Sequence, residues 1–305
     1  MYGKETGYIM NTNLFERILV PTDMSAFSDL ALRYALHFNE RLGSKITLLH
    51  AEEISWLSAD HPIGYYFESV PEARTALTKE LHEYAATHVP PSTAGATTLF
   101  EDEAPELAIV RIARDVKADL IVMGTHGRRG IRRAILGSVA EYVLRETDVP
   151  VMTVNPARFA TGGTIGIRTV LCPVNFTAIA RAALDQASAI AESFGAHLVV
   201  MHVCEGGEPQ LFSDVQNEFG TWVDPKMRAR TQYKEIVVHG HAAEQVLAVA
   251  DQIDADLLVI GAQHNRFADM TVIGGTTEKI TRFAKRAVMT VIRKAHAAQA
   301  TATAA

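Results

Sequence analysis

The sequence predicts an α/β protein built from two tandem, doubly wound domains, each with a five-stranded parallel sheet. Two observations carry that prediction. The chain repeats itself, and within each copy short apolar runs rich in β-branched residues alternate with stretches of helical spacing. An offset of 152 sets Pro21 on Pro173 and, without gaps, Leu19 on Leu171, Ala31 on Ala183, Leu32 on Leu184, Gly43 on Gly195 and His50 on His202. Nearer the end of each copy an offset of 137 sets Ala118–Gly124 on Ala255–Gly261 and Pro150–Val154 on Ala287–Val291. The second copy is therefore 15 residues shorter, in the region after its second strand. Two collinear matches in the same order are the mark of a duplication, with domains at 14–155 and 168–294. Asn155 to Arg168 holds Pro156 and three glycines and reads as a linker. Residues 295–305, rich in Ala and Thr, read as a disordered tail.

The first copy sets out the elements in order. Phe15 to Val20 is an apolar run closed by Pro21, a buried strand. Ser25 is the N-cap of a helix whose apolar positions are Leu30, Tyr34, Ala35 and Phe38, with Gly43 where a C-cap glycine belongs. Lys45 to His50 is the second strand, Pro71 to His88 a helix, and Thr97 to Phe100 the third strand. Pro105 to Val116 is a helix with proline in its first turn. Leu120 to Met123 is the fourth strand, Ser138 to Arg145 a helix, and Val149 to Val154 the fifth strand. Sheets of this kind bind ligands beyond the C-terminal strand ends, where the strand order reverses.

Composition removes several alternatives. With 48% hydrophobic and 21% charged residues, the chain is neither disordered nor fibrous. Two cysteines cannot staple a secreted scaffold and suit a reducing compartment. A net charge of -6 argues against nucleic acid or an anionic membrane as partner. The longest apolar runs are strand-sized, far from the roughly 20 residues that span a bilayer. Met1 to Asn13 has no signal-peptide core. The expected location is the cytoplasm.

After the fourth strand comes Gly124-Thr-His-Gly127-Arg-Arg-Gly130-Ile-Arg-Arg-Ala-Ile-Leu-Gly137-Ser138. Glycines let backbone N–H groups approach an anion, and the helix starting at Ser138 adds unpaired N–H groups and a favourable dipole. From spacing alone the segment reads equally as a phosphate cradle or as a glycine-marked surface loop. Arg128, Arg129, Arg132 and Arg133 stand either against a triphosphate or as a solvated face. Gly-x2-Gly-x9-Gly-Ser, after Asp-Leu-Ile-Val-Met and an Ile-Leu-Val-Pro-Thr-Asp start, resembles the universal stress protein family, and its tandem, ATP-binding members in particular. The resemblance covers nearly the whole chain. It implies a Rossmann-like fold of the adenine-nucleotide alpha-hydrolase type and ATP or ADP, with magnesium left open, bound by the first copy. It places Gly124, Gly127, Gly137 and Ser138 at ribose and phosphates, and Asp23 near the nucleoside. It adds the backbone around Pro21 and Thr22, together with Ala51, Met123 and Val139. Asp23 also reads simply as a cap for the next helix.

The second copy departs from that pattern. His264 stands for Gly127, Phe267 for Gly130, Gly275 for Ser138 and Asn175 for Asp23; only Gly261 and Gly274 keep their places. This copy is expected not to bind ATP in the family's way. It gathers His202, Cys204, His239, His241 and His264 near strand ends, a weak candidate for a metal or small-ligand site. A Cys172–Cys204 disulfide is less favoured than two free thiols. No catalytic constellation is visible; His126 is the nearest base to a γ-phosphate, so the activity expected is at most a slow ATPase. The reading is a nucleotide-loaded regulatory protein of a stress response, the alternatives a nucleotide-dependent enzyme or a sensor working through the second copy. The two final strands, Val149 to Val154 and Ala287 to Ile292, are apolar edge candidates that invite pairing with another chain. The resemblance implies pairing of final strands across a two-fold axis, here within one chain as a pseudo-dimer, a further homodimer being open.

Overall fold

The computed structural model describes residues 14–54, 70–93, 95–125, 136–155, 165–205, 212–267 and 270–293. The first copy holds β1 (Arg17–Pro21), α1 (Ala26–Leu42), β2 (Lys45–Ala51), α2 (Val70–His88), β3 (Thr97–Glu101), α3 (Pro105–Asp115), β4 (Leu120–Gly124), α4 (Ser138–Glu146) and β5 (Val151–Val154). The second holds β6 (Thr169–Pro173), α5 (Ala178–Phe194), β7 (His197–Cys204), α6 (Phe212–Trp222), α7 (Pro225–Arg230) and β8 (Gln232–His239). It continues with α8 (Ala242–Gln252), β9 (Leu257–Phe267), β10 (Met270–Ile273), α9 (Gly275–Phe283) and β11 (Ala287–Arg293). The tail at 295–305 and most of the linker lie outside the described residues.

Duplication is written into the backbone as well as the sequence. Ser25 caps α1 by accepting from the Ser28 N–H, and Thr177 caps α5 by accepting from the Ala180 N–H. Gly43 and Gly195 close those helices in the left-handed region, at φ 74° and 66°. Non-glycine residues avoid that region, because Cβ crowds the backbone there. Among the described residues four nevertheless occupy it, and they form two equivalent pairs: Met24 with Phe176, and Lys117 with Asp254. Asp119 accepts the N–H groups of Glu16 and Arg17, and Asp256 those of Arg168 and Thr169. Each aspartate thus ties the entry of β4 or β9 to the entry of the neighbouring strand. Burial pushes the Asp119 carboxyl up, opposed by those backbone N–H groups.

Ten strands lie in the order β3-β2-β1-β4-β5-β11-β9-β6-β7-β8. Neighbours are parallel within each half. The halves join antiparallel at β5–β11, where Met152 faces Met289, Thr153 faces Val288 and Val151 faces Thr290. Met152 and Met289 are equivalent residues, so a pseudo-two-fold axis passes between them. The antiparallel pairing of the two final strands is the expected intramolecular pair.

Alternation along the strands divides the core. Ile18, Val20, Leu120, Val122, Met152 and Val154 pack on one face with α1 and α2, and the same cluster runs on through Met289, Val259, Val170 and α5 of the second half. Across the join on that face, Phe38 meets Phe194 edge-on at 5.3 Å, His37 lies 5.1 Å from the same ring, and Arg41 Nε donates to the Ser193 carbonyl. Leu19, Leu49, Ile121 and Met123 face the other way, against α3 and α4.

The five-stranded parallel frame is present in each half, but the second half adds a strand. Where the first copy has Gly127 and Gly130, residues 262–273 contain no glycine and end in Thr271, Val272 and Ile273. β9 runs on past Gly261 and β10 folds back on it, with His264 opposite Ile273 and Phe267 opposite Met270. β-branched residues fit such a pleated pairing, and without glycine the chain has less freedom to coil.

Candidate functional site

The strand order of the first half reverses between β1 and β4, since β1 crosses over to β2 on one side while β4 lies on the other. A crevice at the C-terminal ends of these two strands follows from that topology. Pro21 ends β1, Ala51 ends β2, and Met123 and Gly124 end β4, so the fold brings these sequence-predicted residues to one sheet edge. Gly137, Ser138 and Val139 arrive at the same edge through the start of α4. The Gly137 N–H donates to the Thr125 carbonyl at 2.8 Å, and the Thr125 N–H donates to the Val154 carbonyl at 3.1 Å. These bonds anchor the start of α4 to the tip of β4. A Cβ on Gly137 would sit 3.0 Å from the Thr125 oxygen, so glycine permits this close approach.

The first intrahelical bond of α4 runs from the Glu141 N–H to the Gly137 carbonyl. The amides of residues 138–140 therefore precede the helical ladder. Among the described residues no side chain caps this helix, and Ser138 is exposed. Gly127 lies outside the described residues, as do His126, Gly130, Arg128, Arg129, Arg132 and Arg133.

The opposite wall is the turn after β1. Asp23 Oδ1 accepts from both the N–H and the hydroxyl of Ser25, at 3.1 and 2.6 Å. Asp23 thus closes the turn onto Ser25, which is itself the cap of α1, with the carboxylate half-buried at the strand end. Thr22 is buried and committed within the fold: its N–H donates to the Leu49 carbonyl, its carbonyl accepts from His50 Nδ1, and its hydroxyl meets Ser28 and the Met24 N–H. Thr22 thereby sets the path of the loop.

Beneath that turn lies a network that sequence reasoning missed. The Tyr84 hydroxyl of α2 donates to Asp29 Oδ1 of α1 at 2.5 Å. Burial pushes the Tyr84 phenol up, reinforced by that carboxylate. His88, stacked on Tyr84 at 4.2 Å, brings Nε2 to 3.9 Å from Asp29. The only available signal was the pairing of Asp29 with helix periodicity, because Tyr84 comes from an element 55 residues away.

In the second half the equivalent edge is built differently. Asn175, exposed, accepts from the Thr177 hydroxyl at 2.7 Å, reproducing the turn without the charge. Gly261 is required by packing: a Cβ there would lie 2.9 Å from the Ile179 carbonyl oxygen and 3.0 Å from its Cγ1. The segment after Gly261 is the β9–β10 ladder, with β11 paired to β9 as far as Gln263.

The metal-candidate residues whose side chains are described do not form a cluster of three ligands. His202 Nδ1 lies 2.9 Å from the Val174 carbonyl, as His50 does from Thr22; a carbonyl only accepts, so each ring carries its proton on Nδ1. The His202 ring also rests on Phe176 at 4.7 Å. Cys172 and Cys204 are buried free thiols, both pushed up by burial away from the reactive thiolate. His239 ends β8 and His241 stands at the start of α8, while His264 is described only as a backbone position. Among the described residues no three His, Cys, Asp or Glu side chains are placed to hold a metal ion. No described helix is long and apolar enough to cross a membrane.

Comparison with known proteins follows this geometry. The family model described as "Universal stress protein family" matches residues 14–155 and again 166–292. A universal stress protein of Mycolicibacterium smegmatis is 28% identical over 290 residues, which is 90% of this chain and 96% of that one. One from Methanocaldococcus jannaschii is 31% identical over 157 residues, covering 48% of this chain and 89% of its own length. Among solved structures, a universal stress protein from Archaeoglobus fulgidus superposes with a TM-score of 0.69 at 21% identity, covering 92% of this chain and 97% of that one.

Proposed function

Because the chain belongs to the universal stress protein family through two tandem copies of its domain, we propose that the first repeat binds an adenine nucleotide, ATP or ADP, at the β1/β4 edge. The protein then acts as a nucleotide-loaded regulatory or protective factor of a stress response. The observation that supports this best is the meeting, at one topological switch point, of Gly124, the Gly137–Thr125 anchor and the uncapped first turn of α4. That turn presents the amides of residues 138–140 and the exposed Ser138 hydroxyl, donors suited to phosphate oxygens. Pro21, Asp23, Ala51 and Met123, at the ends of β1, β2 and β4, supply the wall for the nucleoside. Gly127 and the neighbouring arginines belong to the same reading through the sequence motif.

The second repeat does not take nucleotide in this way. Its equivalent loop is a paired strand, Asn175 stands where the first repeat has Asp23, and Gly261 is required by packing against Ile179. Retention of the pseudo-symmetric scaffold without the loop suits a structural or regulatory half.

Mass spectrometry of small molecules released from protein purified without added nucleotide tests the reading directly; ATP or ADP is expected. Titration calorimetry of wild type and Ser138→Asp, with and without magnesium, provides the second arm. The carboxylate would stand where phosphate charge is proposed, yet an acidic residue in the first helical turn favours the helix. Binding at least tenfold weaker is expected for the variant, about 1.4 kcal/mol. Wild type that neither carries nor binds an adenine nucleotide, or a variant that binds as well as wild type, refutes the proposal.

A further inference from the structure

We infer that the β9–β10 hairpin of the second repeat is a positioning element for the nucleotide site of the first, so that occupancy of one repeat is transmitted to the other; this rests on the nucleotide reading above. The hairpin does not stay within its own half. β10 packs against α4. Ile273, at the end of β10, is buried in one cluster with Leu136, Ala140 and Val143 of the first repeat, joined there by Ala262 of β9 and Ile292 of β11.

The placement matters because of what α4 is. It has nine residues, a length at which a helix holds its position through packing and not through its own hydrogen bonds. Its buried face is Ala140, Val143 and Leu144, and all three belong to the cluster that contains Ile273. Leu136, in the same cluster, immediately precedes Gly137, whose N–H anchors the helix start to Thr125. The amides of residues 138–140 therefore stand at the end of a short rod braced in part by the other repeat. Shifting a donor by about an ångström is enough to spoil a charge-assisted contact.

Residues 262–273 have the same length as the loop they replace, since Gly261 and Gly274 lie as far apart as Gly124 and Gly137. The second repeat has thus turned its own copy of the loop into a paired element that supports its neighbour's helix. Coupling of this kind is reciprocal: if the hairpin raises nucleotide affinity, nucleotide stabilises the hairpin by the same factor.

Hydrogen exchange on the full chain, with and without ATP, tests this through a readout that a merely structural role would not move. Slower exchange is expected in the 263–273 backbone, outside the proposed ligand contacts, and no change is expected in Ser138→Asp. Calorimetric titration of Ile273→Ala should give ATP affinity about fivefold weaker or more, the lower end of ordinary coupling. Ile273→Val should restore it to within about twofold, since it removes one methylene from the same shape. Wild type that binds ATP while hairpin exchange is unchanged overturns the inference and leaves the nucleotide site standing. So does Ile273→Ala binding as wild type, or hairpin protection that persists in Ser138→Asp. Wild type that binds no nucleotide overturns both readings.

Discussion

Replacing Thr290 with valine should make the protein more stable, whereas the same change at its equivalent, Thr153, should not. Thr290 lies on β11 at the join between the halves, fully buried, and its Oγ1 has no hydrogen-bond partner among the described residues. Thr153, on β5 and also buried, donates its hydroxyl to the Val288 carbonyl at 3.3 Å. Valine keeps the branched shape, so neither substitution opens a cavity. An unpaired hydroxyl in a protein interior costs about 1–3 kcal/mol. Exchanging it for a methyl at position 290 recovers about 1 kcal/mol or more. At position 153 the exchange also removes a bond with a net worth of about 0.5–1.5 kcal/mol, which cancels most of the gain. The two variants should therefore differ by about 1 kcal/mol, with Thr290→Val above wild type. Urea unfolding followed by circular dichroism measures this as a shifted midpoint at unchanged slope. Thr290→Val falling below wild type by more than about 0.5 kcal/mol, a typical surface effect, would refute the assignment of an unpaired hydroxyl.

Three further outcomes follow from the same coordinates. His37, against Phe194 at the join, is held below its ordinary value of 6.5 by burial, with Glu40 opposing and Arg41 assisting. Between that value and the lower folded one, the unfolded chain takes up a proton that the folded chain refuses; stability is full above 6.5 and is lost as pH falls through this window. His37→Leu should flatten that part of a melting-temperature-against-pH curve. Gly261→Ala should cost about 1–3 kcal/mol, because its methyl meets the start of α5. Gly43→Ala, with open space but φ at 74°, should cost about 1 kcal/mol; denaturant midpoints in the opposite order would contradict the close contact at Ile179. A chelator such as EDTA should leave the melting temperature of untagged protein unchanged, and a marked drop would reveal a structural metal.

Most of the frame was legible because its causes are local. Ser25 and Gly43 announce a helix by chemistry acting within a turn, and the β-branched runs announce buried strands. Duplication was legible because two offsets survive drift. The joining of the two final strands was anticipated through the family resemblance, the apolar runs by themselves saying only that each edge needs a partner. The hairpin in the second repeat was not read. Its strand state is set by the pairing of β10 on β9 together with that of β9 on β11, and the second of these partners lies 30 residues away in the sequence. The Tyr84–Asp29 bond escaped for the same reason. Asp23 shows a different limit: its carboxylate holds the turn through Ser25 while Ser25 itself caps α1, a division of labour that residue type and spacing do not decide. The histidines within the second strands, His50 in β2 and His202 in β7, carried a signal of their own. His50 and His202 recur at one offset, and a residue kept in both halves, only one of which keeps the loop motif, is better explained by a shared backbone contact than by a ligand.

The join between Met152 and Met289 has a consequence beyond geometry. A pair of separate subunits meeting through such a seam would come apart on dilution, and every substitution in one would appear in the other. Carried on one chain, the partner is present at a fixed effective concentration whatever the abundance of the protein. Each half is also free to change alone. Asymmetry that a symmetric dimer cannot encode, an intact loop on one side and a ladder on the other, becomes heritable once both sides are written in the same gene.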